Sequence, residues 1–266
     1  MTTGEAARSP GWGSMAAVTG LVTAAKYLTI VPLPWRGGVG GEALGRSTPW
    51  FPVVGLAIGL GLAVIDRGLS WVFPPILGAL LTLTAWKVAT GGLHLDGLAD
   101  SLDGLMGRDP QDRLRIMRDS RIGAFGALGL ILFLLLALTA LAELPADARW
   151  RVLVTSPAIG RAAPPLLAMV FAPAGPGEGA AFMTSVSPWS AAAAVGCAGL
   201  VAGIGLGRVG LAALLVGLGG ALALGWFLAR RLGGLTGDTL GAAVELTELS
   251  VLLTTVARVH LSGWHA

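Results

Sequence analysis

The sequence has few charged residues and a single cysteine. Only 12% of its 266 residues are Asp, Glu, Lys or Arg, about half the share that is usual in a soluble domain. Cys197 has no partner for an intramolecular disulfide, and its small apolar neighbours indicate a packing role rather than a catalytic thiol. The net charge of +3 is too small to indicate a nucleic-acid partner. An ordinary soluble domain or a nucleic-acid-binding protein is therefore not expected.

Apolar residues dominate the composition. Hydrophobic residues make up 54% of the chain, and the mean hydropathy is +0.76. Because a helix needs about 20 apolar residues to cross a bilayer, we predict an all-α, polytopic integral membrane helix bundle of about six to eight transmembrane helices. Residues 1–13 are predicted to form a disordered N-terminus, and 14–266 a single membrane-embedded catalytic domain. The candidate spans are 14–31, 48–66, 70–91, 123–143, 151–172, 189–206, 209–229 and 239–260.

Proline and glycine indicate how these spans are shaped and packed. The pairs Pro74–Pro75 and Pro164–Pro165 interrupt two of them, which predicts kinked, broken or re-entrant segments there. Glycines four residues apart, at positions 55 and 59 and at positions 199, 203 and 207, allow transmembrane helices to approach closely. We interpret these glycines as packing faces and not as hinges.

The basic residues indicate the orientation in the membrane. One set of loops carries more than twice as many of them as the opposite set, and the positive-inside rule places the richer set in the cytoplasm. We therefore predict a multi-pass protein of the cell inner membrane whose active site faces the cytoplasm. The richer set comprises Arg36, Arg46, Arg108, Arg113, Arg115, Arg118, Arg121, Arg230 and Arg231, and the other set comprises Arg67, Arg149, Arg151 and Arg208.

Three carboxylates follow the third candidate span at helical spacing. Asp96, Asp100 and Asp103 are four and three residues apart, which places them within a fan of roughly 60° on one helix face. Carboxylates on one face repel each other unless a cation lies among them, and oxygen ligands suit Mg²⁺. The sequence therefore predicts a magnesium site here. The alternative is a solvated acidic turn between two spans.

Two further polar residues flank this acidic stretch. His94 is either a base, a partner of a metal-ligating group or an interfacial side chain. Lys87 lies inside an apolar span, one turn from the stretch, and is predicted to pair with it or with a phosphate. The alternative for Lys87, and for Arg161 in a later span, is that the long side chain reaches the membrane interface.

A basic stretch follows, and its guanidinium groups suit phosphate oxygens. Arg118 and Arg121 flank Asp119 and Ser120, and we predict that the four residues bind substrate. Asp119 and Ser120 are also candidates to cap a helix that begins near Gly123. The alternative for the arginines is that they only anchor the loop on the cytoplasmic side.

A second acidic set lies near the C-terminal end. Asp238, Glu245 and Glu248 fall within about 80° of each other on a helical wheel. Asp238 follows a glycine-rich turn, so an N-cap is the alternative for this residue. That alternative does not account for two glutamates inside an apolar span. We predict a second carboxylate patch that faces the first.

Taken together, these motifs resemble those of the cobalamin synthase family, the adenosylcobinamide-GDP ribazoletransferases. The family stretch H-x-D-G-L-A-D-x-x-D-G is matched by His94–Gly104, and M-x-D-S-R-I-G-A-F-G by Met117–Gly126. The stretch G-G-x-T-G-D-x-x-G-A is matched by Gly233–Ala242, and E-x-T-E by Glu245–Glu248. An early W-F-P-x-V-G, beginning at Trp50, is similar as well. The chain departs from the family's early T-R-x-P, since T-I-V-P stands there.

The resemblance implies a substrate pair, a reaction and a metal. The 3′-hydroxyl of α-ribazole, or of its 5′-phosphate, attacks the phosphorus that bears the cobinamide arm of adenosylcobinamide-GDP, GMP leaves, and Mg²⁺ is the cofactor. The expected partners are these two substrates, the lipid bilayer, a second copy in a homo-oligomer and other cobalamin-pathway enzymes. The site residues predicted on this basis are Asp96, Asp100, Asp103 and Asp238 for metal, these four with Glu245 and Glu248 for catalysis, and Lys87, His94, Arg118, Asp119, Ser120 and Arg121 for substrate.

Two rival functions are considered. CDP-alcohol phosphatidyltransferases use D-x-x-D-G-x-x-A-R, and Asp100–Arg108 matches it with Gly for Ala. The acids of that family's second half-motif are missing from Gly123–Ala127. The other rival is an ion-coupled transporter with intramembrane acids and broken helices. The acids of such transporters usually lie near the membrane midplane, whereas these acids cluster towards one face.

Overall fold

The computed structural model describes residues 14–34 and 39–262, and all regular elements in these ranges are helical. The predicted disordered segment 1–13 and Arg36 lie outside the described residues. A short 3₁₀ turn, Thr48–Trp50, joins the second and third helices. The helices are α1 Ser14–Leu28, α2 Gly41–Ser47, α3 Phe51–Leu69, α4 Pro75–Ala89, α5 Leu93–Gly104, α6 Pro110–Met117, α7 Ala124–Glu143, α8 Ala146–Gly160, α9 Ala163–Val170, α10 Glu178–Ser185, α11 Pro188–Leu232 and α12 Gly237–Ser262.

The predicted all-α, polytopic membrane bundle is confirmed. Within the described ranges, five helical segments are long and apolar enough to cross a bilayer. The helices α4 and α5 form a further broken or re-entrant pair that is bent by 89°. On the lipid-exposed side of α7, Leu128, Ile131 and Leu135 are each more than half exposed, which is expected where lipid replaces water. The five segments are Gly41–Leu69, Ala124–Glu143, Ala146–Val170, Pro188–Leu232 and Gly237–Ser262.

The 45-residue α11 folds back on itself at Gly207. This glycine has φ 57° and ψ −134°, which interrupts the helix. A Cβ built on Gly199 would lie 3.6 Å from the Leu214 side chain, although residues 15 apart in a straight helix are about 22 Å apart. The two arms are therefore antiparallel neighbours, as the predicted spans 189–206 and 209–229 require. The packing role predicted for Gly199 is confirmed, but the prediction for Gly207 is wrong because this residue forms the turn.

The breaks near the proline pairs differ from the prediction in one case. Pro164–Pro165 follow the break between α8 and α9, as predicted. Pro75 instead begins α4, where its fixed φ is favourable and the missing N–H costs nothing. The sharp bend comes at the other end of α4, at Gly91 and Gly92, which have φ 63° and φ 68°. Only glycine adopts this left-handed conformation readily at two successive positions.

Close backbone approaches position α12 at the centre of the bundle. Gly55 and Gly59 of α3 lie against the α8 backbone, which confirms their predicted packing role. Gly160 at the end of α8 lies against α12, and Gly217 in the second arm of α11 lies against Thr247 of α12. The span formed by α12 is consequently 67% buried, compared with 28% for α7. The polar side chains in the middle of α12, Glu245, Thr247 and Glu248, thus face protein rather than lipid.

Candidate active site

The two acidic stretches meet where α5 packs against the start of α12. A Cβ at Gly97 would lie 2.6 Å from the carbonyl oxygen of Asp238 and 3.0 Å from its Cα. A Cβ at Gly241 would lie 3.3 Å from the Cα of His94. Since both positions are glycine, the two backbones approach more closely than side chains would allow. This contact brings residues far apart in sequence into one site.

Three carboxylates at this contact are available to a ligand. Those of Asp96 and Asp238 lie within electrostatic range of that of Asp100. In the described parts of the chain, no side chain donates a hydrogen bond to Asp96 or Asp100. Asp238 accepts a long hydrogen bond of 3.5 Å from the Thr236 hydroxyl and also interacts with its own backbone N–H. Like charges held together with so few donors favour the binding of a cation.

Asp238 is not the N-cap of α12. Thr236 accepts a hydrogen bond from the backbone N–H of Thr239 at 3.2 Å, and the Thr239 hydroxyl accepts one from the Thr236 N–H at 2.9 Å. This reciprocal pair satisfies the helix terminus in the manner of a capping box. The Asp238 carboxylate is therefore left for another role.

Asp103 has a structural partner that its two neighbours in the stretch lack. Its carboxylate accepts hydrogen bonds from the backbone N–H groups of Gly123 at 2.7 Å and Gly126 at 2.8 Å. It thereby caps α7 across the chain, and the prediction that Asp119 and Ser120 cap this helix is wrong. A side chain at either glycine would collide with the carboxylate. The predicted role of Asp103 as a metal ligand stays a prediction.

The basic stretch is exposed, and part of it is paired. Arg121 donates two hydrogen bonds to the Asp119 carboxylate, at 3.0 and 2.7 Å. These bonds lower the pKa of Asp119 to about 2. Arg118 lines a cavity of about 140 Å³ together with Asp238, whereas Asp119 and Arg121 line another of about 390 Å³ that also contains Asp103. Ser120 is exposed. Substrate binding by these four residues stays a prediction.

Glu245 and Glu248 form a buried ion-pair network with two cations. The Lys87 ammonium lies 2.5 Å from Glu245 and 3.3 Å from Glu248. Arg161 pairs with the other oxygen of Glu248 and donates to the Pro157 carbonyl at 2.9 Å. Two carboxylates thus balance two cations inside the bundle. Lys87 pairs with these glutamates rather than with the stretch around Asp100.

Arg161 does not reach the membrane interface, because it is wholly buried. It lines a cavity of about 610 Å³, together with His94 and Asp238. His94 is itself only 5% exposed. The interfacial interpretations of Arg161 and His94 are therefore wrong. The break before Pro164–Pro165 was the only signal in the sequence that this arginine lies at the end of an interrupted helix.

The same cavity contains residues that are not among the predicted site residues, although Phe51 belongs to the early W-F-P-x-V-G stretch. The rings of Tyr27, Phe51 and Phe182 are stacked in order, with centroids 6.5 and 6.0 Å apart. Glu178 lies at the cavity and accepts a hydrogen bond from the Gly41 N–H at 2.5 Å. These residues come from three different helices, so no spacing pattern in the sequence connects them.

The donor set at the carboxylates fits Mg²⁺ if the substrate completes it. Among the described residues, no three His, Cys, Asp or Glu side chains are grouped closely enough to hold one ion. Mg²⁺ is commonly held by only one or two carboxylates, with water and substrate phosphate as its other ligands. A pair drawn from Asp96, Asp100 and Asp238 suits that arrangement.

Comparisons with known proteins agree on one family. The profile described as cobalamin-5-phosphate synthase matches residues 20–256. The adenosylcobinamide-GDP ribazoletransferase of Roseiflexus sp. (strain RS-1) is 37% identical over 95% of this chain and 94% of its own length. The proteins of that name from Herpetosiphon aurantiacus and Geotalea daltonii are both 38% identical, over 90% and 88% of this chain and 97% and 95% of their own lengths. No solved structure matches. The chain belongs to the cobalamin-5-phosphate synthase family.

Proposed function

We propose that this protein joins α-ribazole, or its 5′-phosphate, to adenosylcobinamide-GDP. The ribazole 3′-hydroxyl forms a new bond to the phosphorus that carries the cobinamide arm, and the bond from that phosphorus to GMP breaks. The product is adenosylcobalamin or its 5′-phosphate. The observation that carries the proposal is the convergence of Asp96, Asp100 and Asp238 beside cavities lined by Arg118 and Arg161. Family membership supplies the substrates.

The chain's own residues account for alignment and charge. Asp238 lines both the 610 Å³ and the 140 Å³ cavities. Two ligands, one in each cavity, would therefore come together at this residue. Such positioning supplies much of the catalysis in transfers to phosphorus. Arg118 is exposed beside Asp238 and is suited to bind a phosphate of the leaving nucleotide. Asp96, Asp100 and Asp238 would hold Mg²⁺, which would neutralise charge on the diphosphate.

An aspartate of this group takes the proton of the attacking hydroxyl. Asp100 and Asp238 are partly exposed and lie within electrostatic range of each other, and Asp238 lines the 610 Å³ cavity. Glu248, the other acid considered from the sequence, is 2% exposed, and each of its oxygens contacts a cation. A carboxylate held in this way is a weak base. We therefore assign Glu245 and Glu248 to positioning rather than proton transfer.

The site is proposed to face the cytoplasm from the cell inner membrane. The α5–α7 connection, which contains Arg108–Arg121, follows the carboxylates of α5, and its Arg113 donates a hydrogen bond to the Arg231 carbonyl at the end of α11. The basic residues at the opposite ends of the helices are fewer, which favours this orientation under the positive-inside rule. Homo-oligomerisation and association with other cobalamin-pathway enzymes stay predictions.

The experiment is a reconstitution of the purified protein in lipid. With adenosylcobinamide-GDP, α-ribazole and Mg²⁺ we expect cobalamin and GMP in equal amounts, and no product after chelation of the metal. Asp100→Asn should be inactive under the same conditions. Release of CMP from a CDP-alcohol without release of GMP would instead support a phosphatidyltransferase. Substrate flux across the vesicle without any product would support a transporter.

A further inference from the structure

The guanidinium of Arg161 has donors that the protein does not use. Its Nη1 serves Glu248 and the Pro157 carbonyl. Its Nε and Nη2 are buried and have no hydrogen-bond partner among the described residues. A buried, unsatisfied charged donor is costly, and such groups in native proteins usually have a ligand or water as partner. Because Arg161 lines the 610 Å³ cavity, the free donors indicate an anion bound there.

The aromatic residues of this cavity indicate the other part of the ligand. Tyr27 is inclined by 22° to Phe51, and Phe51 by 20° to Phe182, so the three rings are nearly parallel. Flat heterocycles stack on such rings with little regard to base identity. Tyr27 is 38% exposed and presents the accessible ring of the stack, whereas Phe51 and Phe182 are 2% and 7% exposed and form its buried part. The cavity volume lies within the range of about 300–1,000 Å³ typical of small-molecule sites.

The ion pairs around Arg161 leave part of its guanidinium free for a further acceptor. Glu248 accepts from Nη1 and also contacts Lys87, which in turn pairs with Glu245. The network therefore fixes the guanidinium without occupying all of its donors. Glu178, at the same cavity, is already engaged by the N–H of Gly41. The remaining donors present the fork geometry that binds phosphate oxygens.

We propose that this cavity is a nucleotide-binding site, in which Arg161 holds a phosphate and the Tyr27–Phe51–Phe182 stack holds the heterocyclic base. The inference rests on the proposed function, because adenosylcobinamide-GDP and α-ribazole 5′-phosphate each contain a heterocyclic base and a phosphate. The guanosine diphosphate end of adenosylcobinamide-GDP is one source, and α-ribazole 5′-phosphate is the other. Arg161 is then a binding residue, and Glu248 is a positioning residue that acts through it.

The test measures ligand binding, so that it does not depend on turnover. The full chain in lipid nanodiscs is titrated with GMP and guanosine, and separately with α-ribazole 5′-phosphate and α-ribazole. Arg161→Lys keeps the charge and the pairing with Glu248 but loses the fork. We expect it to weaken binding of one nucleotide by about 10- to 100-fold and to change the matching nucleoside less than about 3-fold.

Two further variants separate the base from the phosphate and control for folding. Phe182→Leu leaves the ion pairs intact and should weaken nucleotide and nucleoside alike, by about 5- to 50-fold. Arg149→Gln is the control for folding. Arg149 is a buried arginine of α8 that pairs with Asp66 at 3.1 Å and lies about 18 Å along the helix axis from Arg161. Its replacement should leave both affinities unchanged.

The nucleotide whose affinity falls in Arg161→Lys shows which of the two substrates binds in this cavity. Equal nucleotide affinity in the wild type and Arg161→Lys overturns the inference. So does a loss of nucleoside binding as large as that of nucleotide binding in Arg161→Lys. If the wild type forms cobalamin and GMP but the Phe182 and Arg161 variants bind both nucleotides normally, the proposed function stands and the site assignment fails.

Discussion

The backbone of Asp238 lies directly against Gly97, and this contact joins the two acidic motifs. A Cβ at position 97 would come within 3.0 Å of the Asp238 Cα, and nearer still to its carbonyl oxygen. Backbone atoms cannot give way as a flexible side chain does. The distance between the carboxylates of α5 and Asp238 is therefore set by a glycine, and the site depends on a residue that has no functional group.

Gly97→Ala should inactivate the enzyme by separating α5 from α12. We expect a loss of about 1–3 kcal/mol in stability from overpacking, together with a fall in kcat larger than the fall in folded protein. The matched control is Gly78→Ala in α4, where a Cβ would meet nothing within 4 Å. Thermal unfolding in detergent and turnover in nanodiscs measure the two effects. Full activity of Gly97→Ala would show that the contact does not position the site.

Asp100→Asn and Asp103→Asn should separate metal binding from helix capping. Asp103 accepts two backbone hydrogen bonds, and an amide in its place would turn a donor towards one of those N–H groups. We expect Asp103→Asn to lose about 1–3 kcal/mol in stability. Asp100→Asn should keep its melting temperature but require much more Mg²⁺ for any activity. Magnesium titrations and melting curves of both variants provide the measurement, and the reverse pattern would assign the ligand role to Asp103.

Much of the fold could be predicted because lipid imposes simple rules. The long apolar runs predicted α7, α12 and the two arms of α11, since only a helix satisfies its backbone groups in a bilayer. The bend at Gly91 and Gly92 was not predicted, because proline is the more obvious breaker and two left-handed glycines leave no mark on hydropathy. The turn at Gly207 was mistaken for packing because small residues serve both purposes.

The site could be predicted only in part, because the spacing of acidic residues does not show which groups they bind in the folded chain. Helical spacing correctly placed Asp96 and Asp100 on one face, but it could not show that α7 accepts the Asp103 carboxylate as its cap. The apolar residues around Glu245 and Glu248 indicate that these acids lie inside a span. Their neutralisation by Lys87 and Arg161 depends on the packing of three helices and is visible only in three dimensions.

The charge balance of the buried network predicts a rescue. Lys87→Met leaves an excess negative charge and Glu245→Gln an excess positive one, so each should cost about 3–5 kcal/mol. The double variant leaves Arg161 and Glu248 as a matched pair. We expect it to be more stable than either single variant and to recover turnover. Additive losses of stability would contradict the network, and a stable but inactive double variant would support a catalytic Glu245.

The Asp119–Arg121 pair should not contribute to the pH dependence of the reaction near neutrality. Hydrogen bonds from Arg121 lower the pKa of Asp119 from 3.8 to about 2. Because the folded-state pKa is depressed, the stabilisation from this pair is complete above the unfolded value and is lost only as the pH falls towards about 2. We expect Asp119→Asn to leave the shape of the kcat/KM profile unchanged between about pH 5 and pH 8. A titration step in this interval that the variant abolishes would show that Asp119 is not held by Arg121 in the free enzyme.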